Sequence, residues 1–532
     1  MEGAPMTAQQ IDALLQQLAD KYALAGPSDR IPAGEERAAS EWLALELEGA
    51  GATVAEIEAE LRRLQGHCAV ALEEELLSVI IEDMRPVAPC DPPGRTDLGN
   101  AMRFVSQHRE EIRYLAPGRK WFLWDGRRWA PDERNAVMAL ARQTAKSIWA
   151  EAAAADDPIE RKAIGKWAAG TESAARLDAM VRLASSDPAV VVIPDDLDRD
   201  PWAFNVRNGT LDLHTGELRE HRRDDLITKL ADIDFDRTAA CPRWRQFLFE
   251  VFCEDEDLFF FLQRAIGYSM IGERKERAML LLHGTGSNGK SVLLETLLAL
   301  FGDYGAATPP ETLLAKKGDT IPNDLARLLG VRLCVAAETG DGRRFDAARL
   351  KALTGRDTIC ARFMRAEWFS FKPTFQLWLA TNHRPTCDGS DRALFDRIKL
   401  VPFERRFEEA EQDKELAAKL AAELPGILGW AVAGALMWLE DGLAAPEAVT
   451  SATAQYRSEM DAVRRFLDDC AELTPGGKTT AKALYARYKT WAEAQGEYAL
   501  SQRKLGERLA RLGLTASKGT GGTRQWQGLE LV

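Results

Sequence analysis

The chain has few of the features that would place it outside the cell, in a membrane or around a metal. Its eight cysteines (68, 90, 241, 253, 334, 360, 387 and 470) form no C-x-x-C pair, and its six histidines show no zinc-ligand spacing. Free thiols in a reducing cytosol, with no structural metal, are therefore expected. The opening MEGAPMTAQQIDALL has no basic segment followed by an apolar core, so no signal peptide is read there. The most apolar window, LPGILGWAVAGALMWL at 424–439, is sixteen residues long, short of the roughly 20 that a membrane span needs. Pro425 and three glycines interrupt it, so it reads as a buried core helix in a soluble protein with no membrane partner. Internal repeats are also missing.

Positive charge is scarce overall, with a net charge of −13, which at first argues against nucleic acid. Its distribution says otherwise. Residues 1–95 carry eighteen acidic against seven basic side chains, whereas 351–407 carry eleven basic against six acidic and 475–532 carry ten against four. Two basic regions in an acidic chain leave nucleic-acid binding open, with solvated surface as the alternative.

With 532 residues the chain has room for several domains. An acidic, Ala/Leu/Glu-rich region over 1–95, with helical spacing such as Ile57, Leu61 and Leu64, runs into the linker VAPCDPPG. Residues 96–240 read as a small α+β domain. Within it, WFLWDGRRW implies a hairpin at Asp125-Gly126, a helix is expected near 133–155, and FNVRNGTLDLHTGEL implies turns at Asn208-Gly209 and Thr215-Gly216. From 241 to 410, the apolar runs AMLLLHG, RLCVAAE, FQLWLATN and IKLVPF recur, the first three separated by helical patterns. That argues for a three-layer α/β core with a mainly parallel sheet. Helices are expected over 411–455, and 456–532 gives helices and then a glycine-tipped hairpin, the order of a winged helix.

LLLHGTGSNGKS, from Leu280 to Ser291, ends a strand-like run with G-x-x-x-x-G-K-[ST] and opens a helical pattern. Glycines let backbone N–H groups curl around a polyanion, and the helix N-terminus adds partial positive charge. Residues Gly284, Thr285, Gly286, Ser287, Asn288, Gly289, Lys290 and Ser291 are thus the expected nucleotide-binding loop. In it Lys290 reaches the β- and γ-phosphates and the Ser291 hydroxyl ligates Mg²⁺. The loop alone does not separate kinases, GTPases and motor ATPases. Glu338, at a strand end, can polarise the attacking water and hold the Mg²⁺ shell, although Thr339 follows in place of a second acid. Asn382 ends another buried strand and can orient the lytic water. Arg397, just before a strand, can act as an arginine finger supplied by a neighbouring subunit.

P-loop, acid, Asn and Arg follow in that order. Together with WFLWDGRRW, NGTLDLHTGEL, CPRW, FLQRAIGYSMIG, DLARLLGVRLCVAAET, LKALTGRDTICARFM, LATNHRP and DRIKLVPF, they give a chain that, from about Tyr114 to its C-terminus, resembles the superfamily 3 helicases. Among these it resembles the phage and plasmid primase-helicases related to the poxvirus primase-helicase. The resemblance implies an AAA+-like ATPase that uses ATP and Mg²⁺, forms a homo-oligomeric, hexameric ring, translocates on single-stranded DNA and unwinds DNA at a fork. A separate primase or polymerase is an implied partner, and the bacterial host cytoplasm the implied location. It also implies that LKALTGRDTICARFMRAEWFSFKP forms a hairpin lining the pore, with Arg365 near its tip and Arg362 and Lys372 gripping phosphates. Trp368 is expected in the core, and Lys351 is expected to face the adjacent subunit's nucleotide.

Many relatives carry a primase domain on strands. Residues 1–95 offer only helical patterns, so primer synthesis is not expected from this chain. Arg503, Lys504, Arg508 and Arg511 on a tail helix, with Lys518 and Arg524 beside the hairpin, suit phosphate contact. The alternative function is a nucleotide-dependent DNA-binding initiator or assembly factor with little unwinding.

Overall fold

The computed structural model describes residues 93–315, 323–337, 340, 342–362, 368–495, 499–519 and 522–532. The chain divides into two compact units, Met1–Arg103 and Phe104–Val532. The helices expected over 7–85 lie outside the described residues, so the account below concerns the second unit.

Its first sheet joins β1 (Ile112–Leu115), β2 (Lys120–Trp124), β3 (Trp129–Pro131) and β4 (Val191–Val192) in the order β3-β2-β1-β4. Between β3 and β4 lie α1 (Ala136–Ala154), α2 (Pro158–Thr171) and α3 (Ala174–Ala184). The hairpin expected at Asp125-Gly126 is present. Asp125 Oδ1 accepts from the N–H groups of Arg127 and Arg128, both at 2.9 Å, and Gly126 takes φ 96°. A second sheet pairs β5 (Ala203–Val206), β6 (Gly209–Asp212) and β7 (Glu217–Arg219) antiparallel.

Two helices, α4 (Pro242–Val251) and α5 (Glu256–Met270), lead into the central sheet. Its strands are β8 (Met279–His283), β9 (Gly305–Ala307), β10 (Leu333–Ala337), β13 (Gln376–Thr381) and β14 (Ile398–Pro402), all parallel in the order β14-β8-β13-β10-β9. Side chains alternate between its faces, as a strand requires. Leu280, Leu282, Trp378, Ala380, Leu333, Val335 and Val401 enter one apolar cluster, and Met279, Leu281, Leu377, Leu379, Cys334, Ala336, Ile398 and Leu400 enter another. Both faces are covered, which explains why these strands read as continuous apolar runs.

The apolar window at 424–439 is α10 (Leu424–Asp441), preceded by α9 (Leu416–Ala422). No single described helix is long and apolar enough to cross a membrane. Its glycines have a packing reason: a Cβ on Gly434 would lie 2.1 Å from the Gln263 carbonyl oxygen, and one on Gly267 of α5 would lie 2.0 Å from the Ala435 nitrogen. The two helices cross backbone to backbone there.

After α11 (Glu447–Met460), the chain ends in α12 (Ala462–Cys470), β16 (Lys478–Thr480), α13 (Ala481–Ala494), α14 (Gln502–Arg511), β17 (Thr515–Lys518) and β18 (Arg524–Gln527). The three strands form a sheet in the order β16-β18-β17 over a core of Phe466, Tyr488, Trp491, Leu505, Leu509 and Trp526. Short strands β15 (Ala471–Glu472) and β19 (Glu530–Leu531) pair beside it.

The α5–α10 crossing gives a stability prediction. Gly267→Ala forces a methyl group against backbone and should cost about 1–3 kcal/mol. Gly165→Ala, whose Cβ would meet only Trp149 at an ordinary 3.5 Å inside α2, should be neutral or slightly stabilising. Thermal midpoints of the two variants check this; equal midpoints would contradict the close crossing.

Candidate active site

The loop Gly284–Gly289 joins the C-terminal end of β8 to α6 (Lys290–Phe301). Positive φ at Gly286 (104°), Ser287 (50°) and Gly289 (86°) turns successive peptide groups into the kind of concavity that holds anions. Glycine is required at 284 because a Cβ would lie 2.2 Å from Asn288 Nδ2 and 2.3 Å from the Phe403 carbonyl oxygen. Thr285, Ser287 and Ser291 are exposed around the loop, while Asn288 is buried and donates to the Phe403 carbonyl at 3.3 Å.

Lys290 is 6% exposed, and its Nζ donates to the Gly284 carbonyl (2.8 Å), Asn288 Oδ1 (2.9 Å) and Asn382 Oδ1 (3.0 Å). Burial pushes its ammonium down to about pKa 8. None of these three oxygens carries a formal charge. A buried cation whose partners are all neutral is well placed to attract an anion. Beside it, burial and then the charges of Arg384 and Lys290 push His283 down to about 4, so this imidazole is neutral near pH 7.

The pairing of Lys290 with Asn382 follows from strand order. β13 lies next to β8 with Thr381 opposite His283, so the residue after β13 emerges beside the residue after β8. Asn382 is exposed there. On the other side of β13, β10 ends at Ala337 opposite Ala380; Glu338 itself lies outside the described residues. The sheet therefore brings Lys290 and Asn382 together. It does not bring Arg397 to them. Arg397 precedes β14, and its carbonyl accepts from the Met279 N–H at the start of β8. The five residues of β8 separate it from the loop, about 16 Å at roughly 3.3 Å per residue. Its guanidinium donates to the Ala393 carbonyl.

The expected pore hairpin is β11 (Ile359–Ala361) paired antiparallel with β12 (Phe369–Phe371). Arg365 lies outside the described residues. Lys372 is exposed and Arg362 half-buried. Trp368 corrects the expectation of a core side chain: it is 56% exposed, with the Arg362 guanidinium 4.8 Å from its ring centroid. The signal was present in sequence, since the apolar Phe369 and Phe371 alternate with Trp368 and Ser370. Lys351, of α7 (Ala347–Leu353), is tied within its own chain to Asp391 at 2.6 Å.

Comparison with known families gives three partial matches. A family described as D5 N terminal like matches residues 101–253, and one described as Poxvirus D5 protein-like matches 458–516. Between them, a family of unknown function (DUF5906) matches 282–397. These matches support a poxvirus D5-like primase-helicase family for the chain. The D5-like chain is 24% identical over 399 residues to Putative helicase 022R of Frog virus 3 (isolate Goorha), covering 59% of this chain and 41% of that protein. It is 26% identical over 215 residues to Putative primase C962R of African swine fever virus (isolate Tick/Malawi/Lil 20-1/1983), covering 38% and 22%. The chain thus spans less than half the length of these curated relatives. Among solved structures, the apo C-terminal region of NrS-1 aligns over 79% of this chain and 96% of that one, at 12% identity and a TM-score of 0.47.

One feature of the D5-like chain was not legible in sequence. The loop after Asn382 is clasped from several sides. Arg384 pairs with Glu459 of α11 at 2.6 Å, Tyr456 donates to the Pro385 carbonyl, and Arg457 donates to the Gly389 carbonyl at 3.2 Å. Arg508 of α14 pairs with Asp388 at 2.5 Å. This corrects the reading of Arg508 as a phosphate contact: it docks the C-terminal domain onto the loop that carries Asn382. Arg503 pairs with Glu507 at 3.0 Å, and Lys518 stands opposite Arg524 in the terminal hairpin. On the far side of the P-loop, the Phe407 N–H donates to the Ser287 carbonyl at 2.8 Å, so the segment after β14 walls the site.

The depressed Lys290 pKa predicts pH-dependent nucleotide affinity. Above about pH 8 the free protein has lost this proton, whereas a bound polyphosphate favours the ammonium form, so binding takes a proton up. Affinity for a non-hydrolysable ATP analogue should fall by up to about tenfold per pH unit as pH rises above that point. Titrations from roughly pH 7 to 10 check this; a flat profile would contradict it.

Proposed function

We propose that this chain is the motor of a replicative DNA helicase, an ATPase working as a homo-oligomeric, hexameric ring on single-stranded DNA at a fork. The observation that carries the reading is the 3.0 Å contact between Lys290 and Asn382 on neighbouring parallel strands, with Arg397 at the opposite sheet edge. Such a site binds a triphosphate in one chain and leaves its finger to serve another chain.

In this reading, phosphate oxygens replace the three neutral partners of Lys290, whose ammonium then balances charge on the β- and γ-phosphates. Release from Lys290 frees Asn382 to orient the attacking water, and Glu338 accepts its proton. Ser291, exposed in the first turn of α6, and Glu338, reached by the strand beside Asn382, suit a magnesium ion. When bound, Mg²⁺ neutralises phosphate charge. Arg397 of a neighbouring copy stabilises charge in the transition state.

The hairpin of β11 and β12 supplies Arg362, Arg365 and Lys372 to DNA phosphates. The helix, strand, two helices and hairpin at the C-terminus are read as a winged helix that docks on DNA or protein. A separate primase or polymerase completes the replication machinery. The six described cysteines are free thiols, which suits the reducing cytoplasm of a bacterial host.

Unwinding of a forked duplex with ATP and Mg²⁺ tests the proposal, with Lys290→Ala beside the wild type. ATP-dependent strand separation that the variant loses is the expected result. DNA-stimulated hydrolysis without unwinding would point instead to a nucleotide-dependent initiator, and no hydrolysis would overturn the motor reading.

A further inference from the structure

Only two described tryptophans are exposed, Trp149 and Trp368. Trp149 has an evident structural tie, since its indole N–H donates to Glu172 at 2.9 Å. Trp368 stands on the outer face of the β11–β12 hairpin. The burial pattern shows that face. Ile359, Ala361 and Phe371 turn inward, whereas Cys360 and Ser370 are exposed and meet across the strands at 3.4 Å. With Ala361 opposite Phe369, the next cross-strand pair is Arg362 and Trp368. Lys372 continues the same alternation and is exposed. The outer face therefore presents one large ring with a cation against it, then two small side chains, then a second cation farther along the strand.

A tryptophan left 56% exposed costs solvation that burial would recover, and a guanidinium over one ring face does not remove that cost. The same combination of a flat apolar ring and cations spaced along a strand is what a single nucleic-acid strand requires: a surface for a base and charges for the flanking phosphates. Duplex DNA keeps its base faces stacked and cannot use the ring in this way.

We propose that Trp368 is a base-stacking platform for single-stranded DNA, so that the hairpin grips the strand by a base as well as by phosphates. Arg362 covers one face of the indole and the base takes the other, while Arg362 and Lys372, spaced along the hairpin, hold separate phosphates of the same strand. This rests on the reading above that the hairpin binds DNA, and it adds that the grip discriminates single from double strands.

The test uses the full chain and two labelled probes, an oligo(dT) and an oligomer of the same length made of abasic sites. Wild type should bind oligo(dT) more tightly than the abasic strand. Trp368→Ala should weaken oligo(dT) binding roughly five- to hundredfold and leave abasic affinity unaltered, and Trp368→Phe should retain most of the wild-type preference. Equal losses on both probes, or loss of assembly by mass measurement, would make Trp368 a structural or subunit contact and overturn the platform. No effect of Trp368→Ala alongside weakened binding in Arg362→Ala and Lys372→Ala would overturn it too, while leaving the phosphate grip standing. Failure of wild type to bind either probe would remove the platform together with the DNA reading beneath it.

Discussion

The buried ammonium of Lys290 is the constraint around which the site is organised. Its three partners are a P-loop carbonyl, a P-loop amide and the amide of Asn382, and none of them neutralises it. Leaving a cation in such surroundings is costly, which is why its pKa falls to about 8. The arrangement persists because the backbone around it is over-determined. Gly284 has no room for a Cβ, and the Phe403 carbonyl and Phe407 N–H fix the loop from the end of β14. A triphosphate would supply the missing negative charge and at the same time release Asn382.

Strand order converts that local chemistry into a division of labour. In a parallel sheet all the strands end on one edge, and ligands are held there. With β13 between β8 and β10, the loop, Asn382 and the strand leading to Glu338 share this edge, while Arg397 is left at the other. The loop that follows Asn382 is in turn held by α11 through Arg384 and Tyr456, and by α14 through Arg508. These contacts tie the loop that carries Asn382 to the C-terminal domain.

Much of this was legible in sequence where one periodicity or one spacing decides. The apolar runs became the four strands expected, because strands covered on both faces have no polar side to dilute them. The P-loop and Asn382 were legible because glycine spacing and strand ends are local properties. Trp368 was misread for treating a large apolar side chain as core without following the alternation through Phe369 and Phe371. Arg508 was misread because charge alone does not reveal that Asp388, 120 residues away in sequence, is its partner. The glycines at 267 and 434 are intelligible only once the two helices cross. The roles of Glu338 and Arg365 rest on the sequence, since both lie outside the described residues.

The central claim is that the active site is completed by a second copy of the chain, and mixing inactive variants tests it most directly. In the proposed reading Lys290→Ala lacks the phosphate ligand and Arg397→Ala lacks the finger, so each alone should hydrolyse almost no ATP. In the proposed ring, mixing creates interfaces that join an intact Lys290 to an intact Arg397, and the account predicts that ATPase activity returns on mixing. If the mixture stays as inactive as its components while both variants still assemble, Arg397 does not act across copies and the account is wrong.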